Sequence, residues 1–127
     1  MRGIKIRPLH HGNMHADLEL LVTGHPDLML TKTNHVKNKV WCEVPSFTFL
    51  IDHPDGRILF DAAIHRHWED QWLPEYKALA PYDDYTEEQL LENTLKRNKL
   101  GPEDIDYVFL SHLHVDHAGN AKLWNTC

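Results

Sequence analysis

The stretch YVFLSHLHVDHAGN, Tyr107 to Asn120, decides how this chain is read. It opens on a short apolar run, Tyr107 to Leu110, which is bounded by polar residues and reads as a buried strand. His112, His114, Asp116 and His117 follow at once, so four potential metal ligands occupy six positions. In open α/β sheets, sites gather at the carboxyl ends of strands, and this cluster sits at such an end.

The residue types suit a metal. Neutral imidazole nitrogens and carboxylate oxygens match Zn²⁺ and related first-row divalent ions, Mn, Fe and Co among them. His112 and His114 are two apart, so in an extended segment they project to one side and can grip one ion. Asp116 and His117 are adjacent. The chain must turn for both to face inward, as a pair for a second ion. This order differs from a helical His-Glu-x-x-His site, whose ligands share a helix face at i and i+4. One Zn²⁺ takes ~4 ligands, and a catalytic one keeps a position for water, so two ions need more donors than these four. His65 and His67 repeat the His-x-His spacing without a matching carboxylate or a preceding apolar strand. They read as ordinary loop residues, as do His10, His11 and His15 in LHHGNMH.

Upstream, SFTFLIDHPDGRILFD alternates Phe47, Phe49 and Ile51 with Thr48 and Leu50, turns through His53-Pro54-Asp55-Gly56, and returns as Arg57 to Asp61. That is a hairpin, and its apolar character on both faces predicts a buried sheet. GIKIRPLH reads as a strand with one wet face, and DLELLVTG as a second short strand ended by Gly24. HPDLMLTKTNHVKNK reads as a loop with room for one short strand. TEEQLLENTLKRNKLGP predicts the best helix. Thr86 and Gln89 make a capping box, Leu91 and Leu95 an apolar face, and Gly101-Pro102 the stop. Residues 62–84 form an aromatic, Pro-interrupted segment that either covers a site or packs Trp68 and Trp72 into the core. A further helix is expected at Ala118 to Trp124. Helix, buried strand and ligand loop in that order are α/β grammar.

The composition, 42% hydrophobic and 25% charged over 127 residues, is that of one globular domain with a modest core. A net charge of −6 disfavours a nucleic-acid surface, which needs clustered Lys and Arg. A small-molecule substrate is the expected partner. Two cysteines cannot make a disulfide framework. Cys42 reads as a buried free thiol, which suits a reducing, cytoplasmic setting. No run reaches the ~18–20 apolar residues of a membrane span.

SHLHVDHAGN resembles the signature of the metallo-β-lactamase superfamily. VWCEVPSFTFLIDHPDGRILFDAAI, the segment TEEQLLENTLKRNKLGPEDIDYVFLSHLHVDHAGN and their spacing resemble the N-acyl-homoserine lactonase group within it. The resemblance implies a four-layer αββα sandwich of two similar halves with a two-metal site at the edge between them. This chain would be the N-terminal half, residues 1–127 being a partial domain whose C-terminal half is absent. His112 and His114 would bind the first ion, Asp116 and His117 the second. Zn is the first choice for both ions. Asp116 would also pass a proton to the leaving alkoxide, and Asp61 would orient a ligand histidine from behind. Ala62-Ala63 stands where the family often carries Thr-Gly, so the turn there is expected to differ. The implied activity is quorum quenching: a metal-bridged hydroxide opens the lactone ring of N-acyl-homoserine lactones. The alternatives are another hydrolase of the same fold, acting on a thioester, phosphodiester or β-lactam, and an inactive fragment with weak metal binding. The last predicts an open apolar sheet face and self-association.

Overall fold

Four strands build one sheet in the order β1-β2-β3-β4: β1 Lys5–Asp17, β2 Trp41–His53, β3 Gly56–Phe60 and β4 Tyr107–Phe109. The structure, a computed structural model, describes residues 3–22 and 39–124. β1, β2 and β3 pair antiparallel, whereas β4 joins β3 in parallel. The expected hairpin is present, with Asp52 opposite Arg57 and His53 opposite Gly56. Gly56 holds φ +146, a value its missing Cβ permits. β1 is longer than GIKIRPLH suggests. Its register slips between His10 and Asn13, where Gly12 at φ +98 leaves no room for a Cβ against Tyr85 and Asp84.

The hairpin's two faces have different fates. Leu9, Leu50 and Leu59 pack with Leu91, Leu95 and Ile105 into the main buried cluster. On the other face, Pro8, Phe49, Phe60 and Phe109 are register partners across all four strands, and Ile6, Ile51, Ile58 and Tyr107 form the next row. Ile6, Tyr107 and Phe109 are each about 60% exposed. The expectation of a sheet buried on both faces is therefore corrected: among the described residues one face is open.

Several local readings change. LELL, Leu18–Leu21, is a helical turn (α1) rather than a strand, because the Asp17 side chain accepts from the Glu19 N–H and caps it. The loop reading of residues 25–38 lies outside the described residues. Trp68–Gln71 (α2) and Pro74–Leu79 (α3) are short helices. Trp68 is buried with Ile64 and Tyr82, which is the core-packing alternative.

The long helix is split. Thr86 N–H donates to Gln89 Oε1 at 2.9 Å, but the box closes a 3₁₀ turn at Glu87–Gln89. The α-helix proper, α4, runs Leu91–Arg97. It ends before Gly101. Leu100 N–H bonds Leu95 O and Lys99 N–H bonds Lys96 O, with Lys99 at φ 59 in the left-handed position. A helical turn, α5, spans Val115–Ala118, earlier than expected, and a 3₁₀ turn follows at Ala121–Trp124. Cys42 is a free, half-buried thiol donating to Ala16 O. Among the described residues no helix is long and apolar enough to cross a membrane.

Candidate metal centre

Because β3 and β4 are parallel neighbours, their carboxyl ends emerge side by side. Asp61 N–H donates to Phe109 O at 2.8 Å and extends the pairing one residue past β3, onto the last residue of β4. Asp61 is 3% exposed, so its carboxylate needs partners. It finds three donors: Ser111 N–H at 2.7 Å, Ser111 Oγ–H at 2.9 Å and His117 Nδ1 at 2.8 Å. Burial pushes the Asp61 carboxyl up, but the bonds from His117 and Ser111 outweigh it and hold the group below the usual carboxylate range.

The chain bends at Ser111, reaches His114 with an extended backbone there, and then coils into α5. That coil is the turn the adjacent Asp116 and His117 require. The four donors come together. The His112 and His114 rings lie 4.5 Å apart between centroids and the His112 and His117 rings 4.0 Å. Asp116 Oδ2 is 3.1 Å from His117 Nε2. His112 and His114 are exposed, Asp116 and His117 half-buried. The donors face one another rather than a shared centre. His117 Nε2 engages Asp116, and His112 Nδ1 lies 3.0 Å from Ser111 Oγ. Among the described residues no three such side chains already form a ligand shell. The donor chemistry still fits: three imidazoles and a carboxylate in contact, on a loop open to solvent, suit a divalent first-row cation. Uptake would replace the His117–Asp116 contact with coordination.

The other histidines have different employment. His11 is buried, with Nδ1 2.7 Å from Gln89 O and Nε2 2.9 Å from Thr48 Oγ1. His10 contacts Asn13 and Gln89, and His15 pairs with Asp83. His65 Nδ1 meets the Gln71 side chain and the His67 N–H. The 62–84 segment flanks the ligand loop, since Val115 packs against the Ile64–Trp68–Tyr82 cluster. Two residues had no role in the reading of the sequence. Ser111 bridges Asp61 to His112, and a hydroxyl placed directly between an apolar strand and the first histidine is the available signal. Asn120 is 5% exposed and ties the loop down from below. Nothing in its sequence context marks it as buried.

Residues 43–125 match the model of the metallo-beta-lactamase superfamily. The chain is 29% identical over 120 residues to the N-acyl homoserine lactonase AiiB of Agrobacterium fabrum, covering 92% of this chain and 42% of that protein. It is 34% identical over 110 residues to an N-acyl homoserine lactonase of Bacillus cereus, covering 76% of this chain and 38% of that one. A solved N-acyl homoserine lactone hydrolase, with N-hexanoyl-L-homoserine bound at its catalytic metal center, superposes with a TM-score of 0.70 at 23% identity, over 97% of this chain and 46% of that one. The chain thus spans less than half the length of these relatives. A family match over most of the chain, together with the strand ends and donors it covers, leads to one conclusion: the chain belongs to the metallo-β-lactamase superfamily.

Proposed function

We propose that the whole protein is a two-metal hydrolase that opens the lactone ring of N-acyl-homoserine lactones, and that residues 1–127 are the N-terminal half of its metallo-β-lactamase-like domain. The observation that carries this is the placing of His117 between Asp61 and Asp116, with His112 and His114 alongside, at the ends of β3 and β4. The similarity to lactonases from two organisms supports the substrate class. The open sheet face supports the partial domain. A cytoplasmic setting fits the free thiol of Cys42.

In this reading His112 and His114 hold one ion, and Asp116 and His117 hold the other. Zn²⁺ is the simplest choice, and residues beyond this chain complete both shells. When bound, the ions supply Lewis-acid polarisation of the carbonyl and acidify water. The protein's own residues do the rest. Asp61 accepts a hydrogen bond from His117 Nδ1–H and leaves Nε2 for coordination, which fixes ring orientation and raises ligand basicity. Ser111 keeps Asp61 ionised and aimed. As water adds its oxygen to the lactone carbonyl carbon, Asp116 takes the proton that the water gives up and passes it to the alkoxide oxygen when the ring C–O bond breaks. The 62–84 segment, beside Val115, contributes to the acyl-binding wall.

The test is turnover by the full-length protein loaded with Zn²⁺, across lactones, thioesters, phosphodiesters and β-lactams. Ring opening of acyl-homoserine lactones is expected. Activity confined to another ester class would replace the substrate, and no hydrolysis at all would reject the reading.

A further inference from the structure

Asp61 can reach His117 only because the backbone after β3 takes an unfavourable path. Asp61 has φ 64 and Ala63 φ 48, so two non-glycine residues occupy the left-handed region within three positions. Such conformations are unfavourable for side chains with a Cβ, and they persist only where the surroundings over-determine them.

The surroundings here come from the end of the ligand loop. Asn120 Nδ2 donates to Ala62 O at 2.8 Å and to Ile64 O at 2.9 Å, with Ala63 O at 3.5 Å. The Asn120 backbone N–H also donates to Ala62 O. In return, Ala62 N–H donates to His117 O at 2.6 Å. The two segments touch so closely that a Cβ on Gly119 would lie 2.5 Å from His65 N and 2.6 Å from Ala63 O. Asn120 is buried, and each of its two amide hydrogens meets a carbonyl of the strained turn.

We propose that Asn120 is a positioning residue: by gripping the Ala62 and Ile64 carbonyls it holds the left-handed turn that aims the Asp61 carboxylate at His117 Nδ1. A side chain three residues past the ligand thereby sets the orientation of that ligand through a partner 56 positions away. The consequence for metal binding rests on His117 being a ligand, as proposed above. The effect on the Asp61–His117 bond does not.

The experiment compares the full-length protein with its Asn120→Ala variant, and with Asn120→Ala combined with Ala63→Gly. Glycine relieves the strain at position 63 and keeps the variant folded should the single change unfold it. Imidazole ¹⁵N NMR of the metal-free protein, above the ordinary titration range of histidine, reads whether the His117 Nδ1 proton is hydrogen-bonded. The expected result is a protected Nδ1 proton in the parent and in Ala63→Gly alone, its loss in Asn120→Ala, and its return in the double variant, where glycine takes the left-handed conformation without the grip. A folded Asn120→Ala that keeps the proton, or a folded double variant that lacks it, would overturn the inference. Zn²⁺ titration of the same proteins separates the two claims. A ~10-fold affinity loss, the scale seen for groups that support ligands from behind, accompanies the lost bond if His117 ligates. A lost bond with unchanged affinity upholds the role of Asn120 and rejects His117 as a ligand.

Discussion

The carboxylate of Asp61 and the imidazole of His117 meet at 2.8 Å, although 56 positions separate them in the chain. The bond exists because β3 and β4 run parallel and end together, so the first residue past one strand faces the loop after the other. Asp61→Asn keeps the size of the side chain but turns a full acceptor into a mixed one. Zn²⁺ affinity is expected to fall ~10–100-fold, read by competition with a chromophoric chelator. An unchanged affinity would remove Asp61 from the site.

His11 makes the protein acid-sensitive. Burial is the main cause that pushes its imidazole from 6.5 down to about 4, against the opposing bond to Gln89. The unfolded chain takes up a proton near the ordinary value and the folded chain does not. The stability is therefore full above pH 6.5 and is lost as pH falls towards 4. The loss approaches about 3 kcal/mol. His65, also lowered chiefly by burial, acts in the same direction. Urea midpoints across this window give the slope. His11→Gln should flatten most of it while lowering stability throughout. A parent protein with no slope above pH 4 would contradict the buried neutral histidine.

Lys99 occupies the left-handed position that ends α4. Lys99→Gly should stabilise the chain by about 1 kcal/mol in thermal or urea unfolding, because glycine carries no Cβ penalty there. A destabilised variant would mean the helix ends elsewhere.

The open sheet face should make the isolated 127-residue chain self-associate. Phe49 and Phe109 lie in one row of that face and are 39% and 58% exposed, so lysine at either position leaves the buried cluster intact. Light scattering should show association in the parent and its reduction in Phe49→Lys and Phe109→Lys. A monodisperse parent monomer would count against this face as an uncovered interface.

These results also mark what a reader of the sequence can and cannot see. The β2–β3 hairpin was legible because alternation and Pro-Asp-Gly turn chemistry agree. α4 was legible because Leu91 and Leu95 repeat at helical spacing, and both are buried. DLELLVTG reads as a strand because a short apolar run carries no period, and only the Asp17 cap decides for a helical turn at Leu18–Leu21. The helix stop was sought at Gly101, but the left-handed residue is Lys99, which residue type does not announce. The donors of the ligand loop were visible as a cluster. The grip of Asn120, the strain at Asp61 and the burial of His11 were not, because each depends on contacts with a distant segment. Ala63 shows the same limit. The departure from Thr-Gly was plain, whereas only the backbone shows that alanine takes the left-handed conformation there.

The central claim is that His112, His114, Asp116 and His117 exist to seat divalent cations. Its most direct test is Zn²⁺ titration of the chain followed by the ¹⁵N shifts of all its histidine rings. His112, His114 and His117 should move together and saturably, with the response lost in Asp116→Ala combined with His114→Ala, while His10, His11, His15, His65 and His67 stay still. Zinc that leaves the first three rings unmoved, or that settles on the others, would contradict the account.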